Sequence, residues 1–492
     1  MGLFDGGLTL GASVFLVLAL GLALSFEFVN GFHDTANAVA TVIYTHTLRP
    51  TVAVVWSGCW NLIGVLTSSG GVAFGVLALL PVELVLNVGS AAGFAMVFAL
   101  LISAIAWNLG TWYLGLPASS SHTLIGSMLG VGLANSMLSS GRQFGEGVNW
   151  GKAAEVGISL LISPIIGFVC AALLLLLAKA AIRREELYRA PDKEKVPPTW
   201  IRSLLIFTCT AVSFGHGSND GQKGMGLIML ILIGIVPMTY ALDLSTSQAS
   251  LQELAAAAES AATQMEHHAP VKVQGDSGEI LSDYLKSGAA SQNVFAAIGE
   301  KCRAIATLLH ITPRLAMLNA YQRRTLRSNL YIASESLNRL TQTGQLSTDD
   351  EKAAASKFRG RAEKLTKYIP TWVKVMIAVV LGLGTMIGWK RIVVTVGEKI
   401  GKEHLSYAQG AAAELVAAGT ILAADGFGLP VSTTHVLSSG VAGTMAANHS
   451  GLQMNTLRNL LVAWVLTLPV CVLLGAGIFA FGLNILLRFG LR

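Results

Sequence analysis

Two stretches of this chain are near-copies of one another: residues 115–130 read GLPASSSHTLIGSMLG and residues 428–443 read GLPVSTTHVLSSGVAG. Each lies between long apolar runs and sets Gly and Pro beside a cluster of hydroxyls and one His. Lipid tolerates no unsatisfied backbone, so a break at membrane depth is stable only where protein buries it or where it lines a cavity. A membrane chain that carries such a break twice is most economically read as two related halves, with the breaks facing each other across a substrate site.

Composition agrees with a bilayer setting. The mean hydropathy is +0.60, and 13% of residues are charged, against roughly a quarter in soluble domains. Of the 62 charged residues, 28 fall within residues 243–368, so the rest of the chain is more lipid-like than the average suggests. Apolar runs of membrane-crossing length fall near 8–29, 51–80, 91–114, 123–140, 154–180, 201–214 with 224–242, 371–389, 405–425, 435–447 and 457–487. The expected fold is an all-α polytopic membrane protein of about ten to twelve transmembrane helices, some broken or re-entrant, with one soluble helical insert. The 52 glycines suit close packing, since small residues let helix backbones approach where lipid supplies no hydrophobic drive. No basic residue precedes the first run, which is read as a span rather than a cleaved leader.

The net charge of +6 is no nucleic-acid signal, because outside the insert the basic residues sit at the ends of apolar runs, as the positive-inside tendency expects. Five scattered cysteines, none in a CxxC pair, give neither a disulfide framework nor a metal site. The chain divides into a first transmembrane repeat (1–180), a charged connecting loop (181–200), the start of a second repeat (201–242), the soluble insert (243–368) and the remainder of the second repeat (369–492). The connecting loop holds five Lys/Arg and reads as cytoplasmic. Within the insert, amphipathic helices are expected over 292–311 and 314–342, either side of Pro313, as a solvated and mobile helical loop. Basic clusters follow the runs ending at 180 and 389, and the insert is basic too. A simple count cannot put all three inside, and the orientation of the insert stays open.

A second pair of segments matches. Residues 31–37 read GFHDTAN and residues 217–223 read GSNDGQK, which aligns His33 with Asn219, Asp34 with Asp220 and Asn37 with Lys223 at an offset of 186. The hydroxyl segments align Pro117 with Pro430 and His122 with His435 at an offset of 313. The two offsets differ by 127, close to the 126 residues of the insert. Each repeat is thus expected to hold an Asp-bearing broken helix followed by a hydroxyl-bearing broken helix, with the insert inside the second repeat.

The chemistry follows from these positions. A helix that restarts at membrane depth offers unpaired N–H groups and about half a positive charge, and with flanking hydroxyls these form an oxyanion cradle. Ser119, Ser120 and Ser121 precede one restarted run and Ser432, Thr433 and Thr434 the other, so two facing cradles suit a tetrahedral oxyanion. Ser and Thr are also the commonest N-caps, a blander role for the same residues. Asp34 and Asp220 sit in apolar surroundings where an ionisable group costs at least ~2.5 kcal/mol and is a functional candidate, here for holding a cation or proton. Lys223, a plausible partner for a carboxylate, stands where the first repeat has Asn37. A fixed ammonium there disfavours a second bound Na⁺ and leans toward proton coupling. His122 and His435 are candidates for proton or anion contacts, with His33 and His216 weaker. Glu414, alone in the run 405–425, is a proton-relay candidate. Asn61, Asn108 and Gln409 read as packing amides. A Ser/His hydrolase is disfavoured, because there is no GxSxG elbow and the Ser and His are adjacent in sequence; no enzyme activity and no cofactor are expected.

In GFHDTANAVATVIY, WNLGTWYLGLPASSSHTLIG, GHGSNDGQKGMGL, GTMIGWKRI, GLPVSTTHVLSSGVAGTM and AWVLTLP, the chain resembles the PiT family of inorganic phosphate transporters, specifically the bacterial low-affinity symporters. The resemblance spans nearly all the membrane part but not the insert. It implies a dimer-prone inverted-repeat fold in a bacterial cytoplasmic (inner) membrane, with phosphate held by Ser119–Ser121 and Ser432–Thr434 and cation sites around Asp34, Asn37, Asn219 and Asp220. Sodium-coupled members tend to carry Asn where this chain has Lys223. Bacterial relatives are thought to move phosphate as a neutral complex with a divalent metal (Mg²⁺, Ca²⁺ or Zn²⁺), together with a proton. The alternatives are a sulfate permease of the same fold, Na⁺-coupled phosphate symport, and an anion channel.

Overall fold

The structure, a computed structural model, describes residues 9–34, 36–81, 84–85, 88–139, 143–146, 148–192, 196–269 and 272–490. The first half consists of α1 (Leu10–Asp34), α2 (Ala36–Tyr44), α3 (Pro50–Thr67), α4 (Gly71–Leu77), α5 (Ala91–Tyr113), α6 (Ser120–Leu138) and α7 (Trp150–Ala181). The second opens with α8 (Thr199–Ile235) and the single turn α9 (Pro237–Tyr240). The insert follows as α10 (Gln248–His268), α11 (Ser277–Ser287), α12 (Gln292–His310), α13 (Ala320–Gln342) and α14 (Asp349–Thr366). Then come α15 (Thr371–Met386), α16 (Lys390–Glu398), α17 (Tyr407–Gly426), α18 (Thr433–Ala447) and α19 (Met454–Arg488). No strand occurs among the described residues, where the sole β-type pairing is the isolated bridge Gly401–Leu452.

The second half repeats the first, with α8 in the place of α1 plus α2 and α15 to α19 in the places of α3 to α7. The packing partners exchange accordingly. Helix α3 lies on α8 while α15 lies on α1; α6 lies on α19 while α18 lies on α7; α4 meets α8 while α16 meets α2. Such reciprocal exchange is what a pseudo-two-fold axis relating the halves requires. Directions confirm an inverted repeat. Helix α5 starts at a cleft shared with the insert and ends at Tyr113 beside α16, whereas α17 starts on the α16 side and ends at Gly426 beside the insert.

Two sequence expectations need correction. The second Asp motif does not break its helix: α8 runs unbroken for 37 residues through Gly217, Asn219 and Asp220. The glycines that suggested a break serve packing instead. A Cβ on Gly217 would strike the backbone of Asn61 in α3, and one on Gly221 would meet Val65 at 2.6 Å. The run 51–80 is likewise two helices, α3 and α4, separated at Gly70, which adopts φ +88°. Among the described residues five helical segments, or six if the bent pair α14–α15 is one span, are apolar and long enough to cross a bilayer by length and composition alone. The remaining membrane helices carry Gly, Ser, His and charged residues because other helices surround them. The outer α7 and α19 instead turn Leu161, Ile165, Leu177, Val465 and Leu473 outward, as lipid contact demands.

The insert is a folded body rather than a solvated loop. Its five helices share a separate core built from residues such as Leu254, Ala258, Ile298, Cys302, Leu330 and Phe358. Capping boxes at Asn319 and Thr348 start α13 and α14, and α13 begins six residues later than expected because Leu315–Met317 forms a separate 3₁₀ turn. Helix α14 meets α15 at 71°, marking the return to the membrane part. The segments at 188–190 and 403–409 line one cleft together, on the face opposite the insert.

Candidate functional site

Both hydroxyl segments are built alike. Gly115 and Gly428 take φ +67° and +66°, a left-handed turn that glycine adopts without cost. Each loop is then held by the outer helix of the opposite half: Trp464 Nε1 donates to the Pro117 carbonyl at 2.9 Å, and Ser159 Oγ to the Pro430 carbonyl at 3.1 Å. Helices α6 and α18 restart immediately after, with Ser119 Oγ accepting from the His122 amide and Ser432 Oγ from the His435 amide, both at 3.2 Å. These two hydroxyls therefore serve as N-caps, the blander role weighed above.

The next residues point across the axis. Ser120 Oγ donates to Asp34 Oδ2 at 2.9 Å and lies 3.4 Å from Asp220 Oδ2. Thr434 Oγ1 donates to Asp34 Oδ1 at 2.5 Å. Ser121 Oγ donates to the Val431 carbonyl at 2.9 Å, tying one loop to the other. Two helix N-termini from opposite halves thus converge on one carboxylate. The carboxylate stands where a tetrahedral oxyanion would find the same donors.

The second carboxylate lies alongside. Lys223 Nζ is 2.7 Å from Asp220 Oδ2, with both side chains 1% exposed. His216 Nδ1 is held by Asn61 Oδ1 at 2.6 Å, which turns Nε2 toward Asp34 Oδ2 at 3.9 Å and Asp220 Oδ2 at 3.6 Å. The ligand-capable atoms of Asp34, His216 and Asp220 lie within 4.8 Å of one another, a donor set of two carboxylates and an imidazole that suits a divalent cation. The residue composition gave no metal site, because these three come from different turns and different repeats.

The remaining candidates fall in three groups. Asn219 anchors the second loop, donating to the Leu429 carbonyl at 3.1 Å, and the side chain of Asn37 lies outside the described residues. The His122 and His435 rings lie tilted against each other with centroids 4.6 Å apart, and His435 stacks on Trp464; His122 Nδ1, His435 Nε2 and Thr433 Oγ1 are buried without a hydrogen-bond partner. Glu414 is fully buried but accepts from Thr208 Oγ1, twelve residues before Asp220 on α8, or about 18 Å along the helix. The structure does not bring Glu414 to the site.

Two carboxyls escaped the sequence reading. Asp425 accepts from Ser218 Oγ and Gln222 Nε2, both at 2.6 Å, and Glu27 is fully buried on α1. The signal for Glu27 was present, since an acid inside an apolar run is a functional candidate wherever it occurs.

The site is closed, every one of these central side chains being buried. Clefts approach it from both faces. One of about 640 Å³ reaches Gly115 past Lys390, Arg391 and Lys399, and one of about 670 Å³ reaches Gly428 past a mixed rim of Lys152, Glu155, Arg359, Glu363 and Lys367.

Comparison with known proteins agrees with that geometry. The profile of the phosphate transporter family matches residues 30–475. The chain is 39% identical over 498 residues to the low-affinity inorganic phosphate transporter PitA of Escherichia coli K12, covering 98% of this chain and 99% of the relative. It is 39% identical to PitB of the same organism, with the same coverage. Among solved structures, the sodium-dependent phosphate transporter superposes with a TM-score of 0.51 at 17% identity, covering 95% of this chain and 98% of that one, a likeness of fold.

Proposed function

This chain belongs to the phosphate transporter family, and from that premise we propose that it is a secondary active carrier importing inorganic phosphate across a bacterial cytoplasmic membrane. The observation that carries the reading is the meeting of Ser120 and Thr434, from two inverted helix N-termini, on Asp34. Relatives of this similarity are named as transporters rather than enzymes.

Coupling follows from the same contact. Asp34 already occupies the donors that phosphate needs, so a phosphate dianion can take them only if a cation or a proton offsets the carboxylate. Bulk energetics ask for the same thing: moving two negative charges into a cell at ~150 mV, negative inside, costs about 7 kcal/mol. Entry with three protons, or as a neutral divalent metal–phosphate complex with one proton, turns that cost into a driving force. Lys223 on Asp220 favours protons over Na⁺ at the second carboxylate. Asp34, His216 and Asp220 suit the metal of a metal–phosphate cargo. The test is uptake in proteoliposomes with the pH gradient, Na⁺ and Mg²⁺ varied independently. Proton-coupled uptake is expected to follow the pH gradient without Na⁺ and to be stimulated by Mg²⁺. Uptake unchanged after collapse of the proton gradient would favour a channel, and strong competition by sulfate a broader oxyanion permease.

The charge distribution also orients the protein. The short segments carrying Arg183, Arg184, Arg189, Lys390, Arg391 and Lys399 share the face opposite the insert, and short basic loops stay in the cytoplasm. The insert is then extracytoplasmic. Ser287→Cys in the insert is expected to react with a membrane-impermeant thiol reagent in right-side-out spheroplasts, and Glu186→Cys only after permeabilisation. The reverse pattern would place the insert inside.

A further inference from the structure

We propose that Glu27 is a proton-carrying group of the transport cycle, exchanging the Lys223 ammonium with Asp220. The inference rests on the proton-coupled reading above and adds to it the residue that releases the proton.

Glu27 lies on α1 seven residues before Asp34, two helical turns away on the same face. It is fully buried. One carboxyl oxygen accepts a long hydrogen bond from Asn30 Nδ2 at 3.4 Å, and the other has no hydrogen-bond partner. The side chain lies directly against Gly224 of α8, where an added Cβ would overlap the carboxyl group. The next residue back along α8 is Lys223, whose ammonium rests on Asp220. The charged groups acting on Glu27 are therefore Lys223 and Asp220. Helices α4 and α5 contain no charged residue, and Lys374 of α15 is turned away to donate to the Ser68 carbonyl at 2.8 Å.

Charge balance supplies the mechanism. One buried ammonium offsets one buried carboxylate, and an uncompensated ion in this setting is expensive. While Lys223 sits on Asp220, Glu27 balances its own charge by holding a proton. When cargo brings a cation to Asp220, Lys223 is released toward Glu27, whose proton leaves on the inner side once the site opens there. After the emptied carrier turns outward again, Lys223 returns to Asp220 and Glu27 takes its next proton from the outer side, so that one proton enters with each cargo. Each cycle binds and releases one proton at Glu27, with no covalent change.

The experiment compares two rates in proteoliposomes: net phosphate uptake driven by a pH gradient, and exchange of labelled for unlabelled phosphate without a gradient. For Glu27→Gln the ratio of net uptake to exchange is expected to fall at least about tenfold, with a flattened pH profile. Glu27→Asp, which keeps a carboxyl group, is expected to retain coupling with a displaced pH profile. Equal loss of net uptake and exchange in Glu27→Gln would reduce Glu27 to a structural partner and overturn the proposal, as would an unchanged ratio. If wild-type uptake itself ignores the pH gradient, the proton-coupled reading fails and this inference with it. A coupled wild type beside an equally coupled Glu27→Gln sinks this inference alone.

Discussion

Asp34→Asn is expected to lower the kcat/KM of phosphate uptake by about 100-fold or more, while the protein remains folded in the membrane. Asp34 is where the halves meet, accepting from Ser120 at 2.9 Å and from Thr434 at 2.5 Å. Hydrogen bonds to a charged acceptor contribute roughly 1.5–3 kcal/mol each, so two of them correspond to about two to four decades in a binding or rate constant. An amide of the same shape offers a single acceptor oxygen and no charge. One hydroxyl then loses its partner, and the site can no longer hold a cation or proton against the incoming anion. Packing should survive, because the close approach of α1 to α15 runs through Gly31 and Gly384 rather than through this side chain. The measurement is initial-rate uptake in proteoliposomes, normalised to incorporated protein, with thermal melting of the purified protein alongside. Wild-type uptake with an unaltered melting curve would remove Asp34 from the coupling machinery.

The meeting of the two loops was legible in the sequence because Gly, Pro and hydroxyls at membrane depth have few stable explanations, and because the repeat spacing closed once the insert was subtracted. What those letters could not separate was capping from ligation. Ser119 and Ser120 are neighbours of one residue type, yet the first caps α6 and the second reaches Asp34; backbone direction at the helix start decides, and composition carries no trace of it. The continuity of α8 was hidden for a related reason. Gly217, Gly221 and Gly224 resemble a break, but each accepts a close neighbour, namely Asn61, Val65 and Glu27, and such contacts between helices are invisible to a single stretch of sequence. Glu414 and Glu27 show the same limit from opposite sides. Both are lone acids in apolar runs, and only the register between helices tells that one faces Thr208 far from the centre and the other faces the Lys223 turn.

Lys223→Asn is expected to abolish uptake driven by a pH gradient in Na⁺-free medium, by about 100-fold or more, and to create a Na⁺ requirement in its place. The lysine is the main departure from symmetry at the centre, standing where the first repeat has Asn37 and resting 2.7 Å from Asp220 with both side chains buried. Removing one partner of a buried ion pair costs ~3–5 kcal/mol, because the other charge is left uncompensated; that is about two to three and a half decades. Asp220 must then recruit another cation. The asparagine brings an amide oxygen, which together with carboxylates suits a hard cation, and Asp34 with its own oxygens is close by. Lys223→Met serves as the contrast, since it removes the charge and supplies no oxygen, and it should transport in neither medium. Initial rates with and without Na⁺, at a fixed pH gradient, decide the matter. Should Lys223→Asn match wild type in Na⁺-free medium, the fixed ammonium is not what selects the coupling ion, and proton coupling must be set elsewhere in the site.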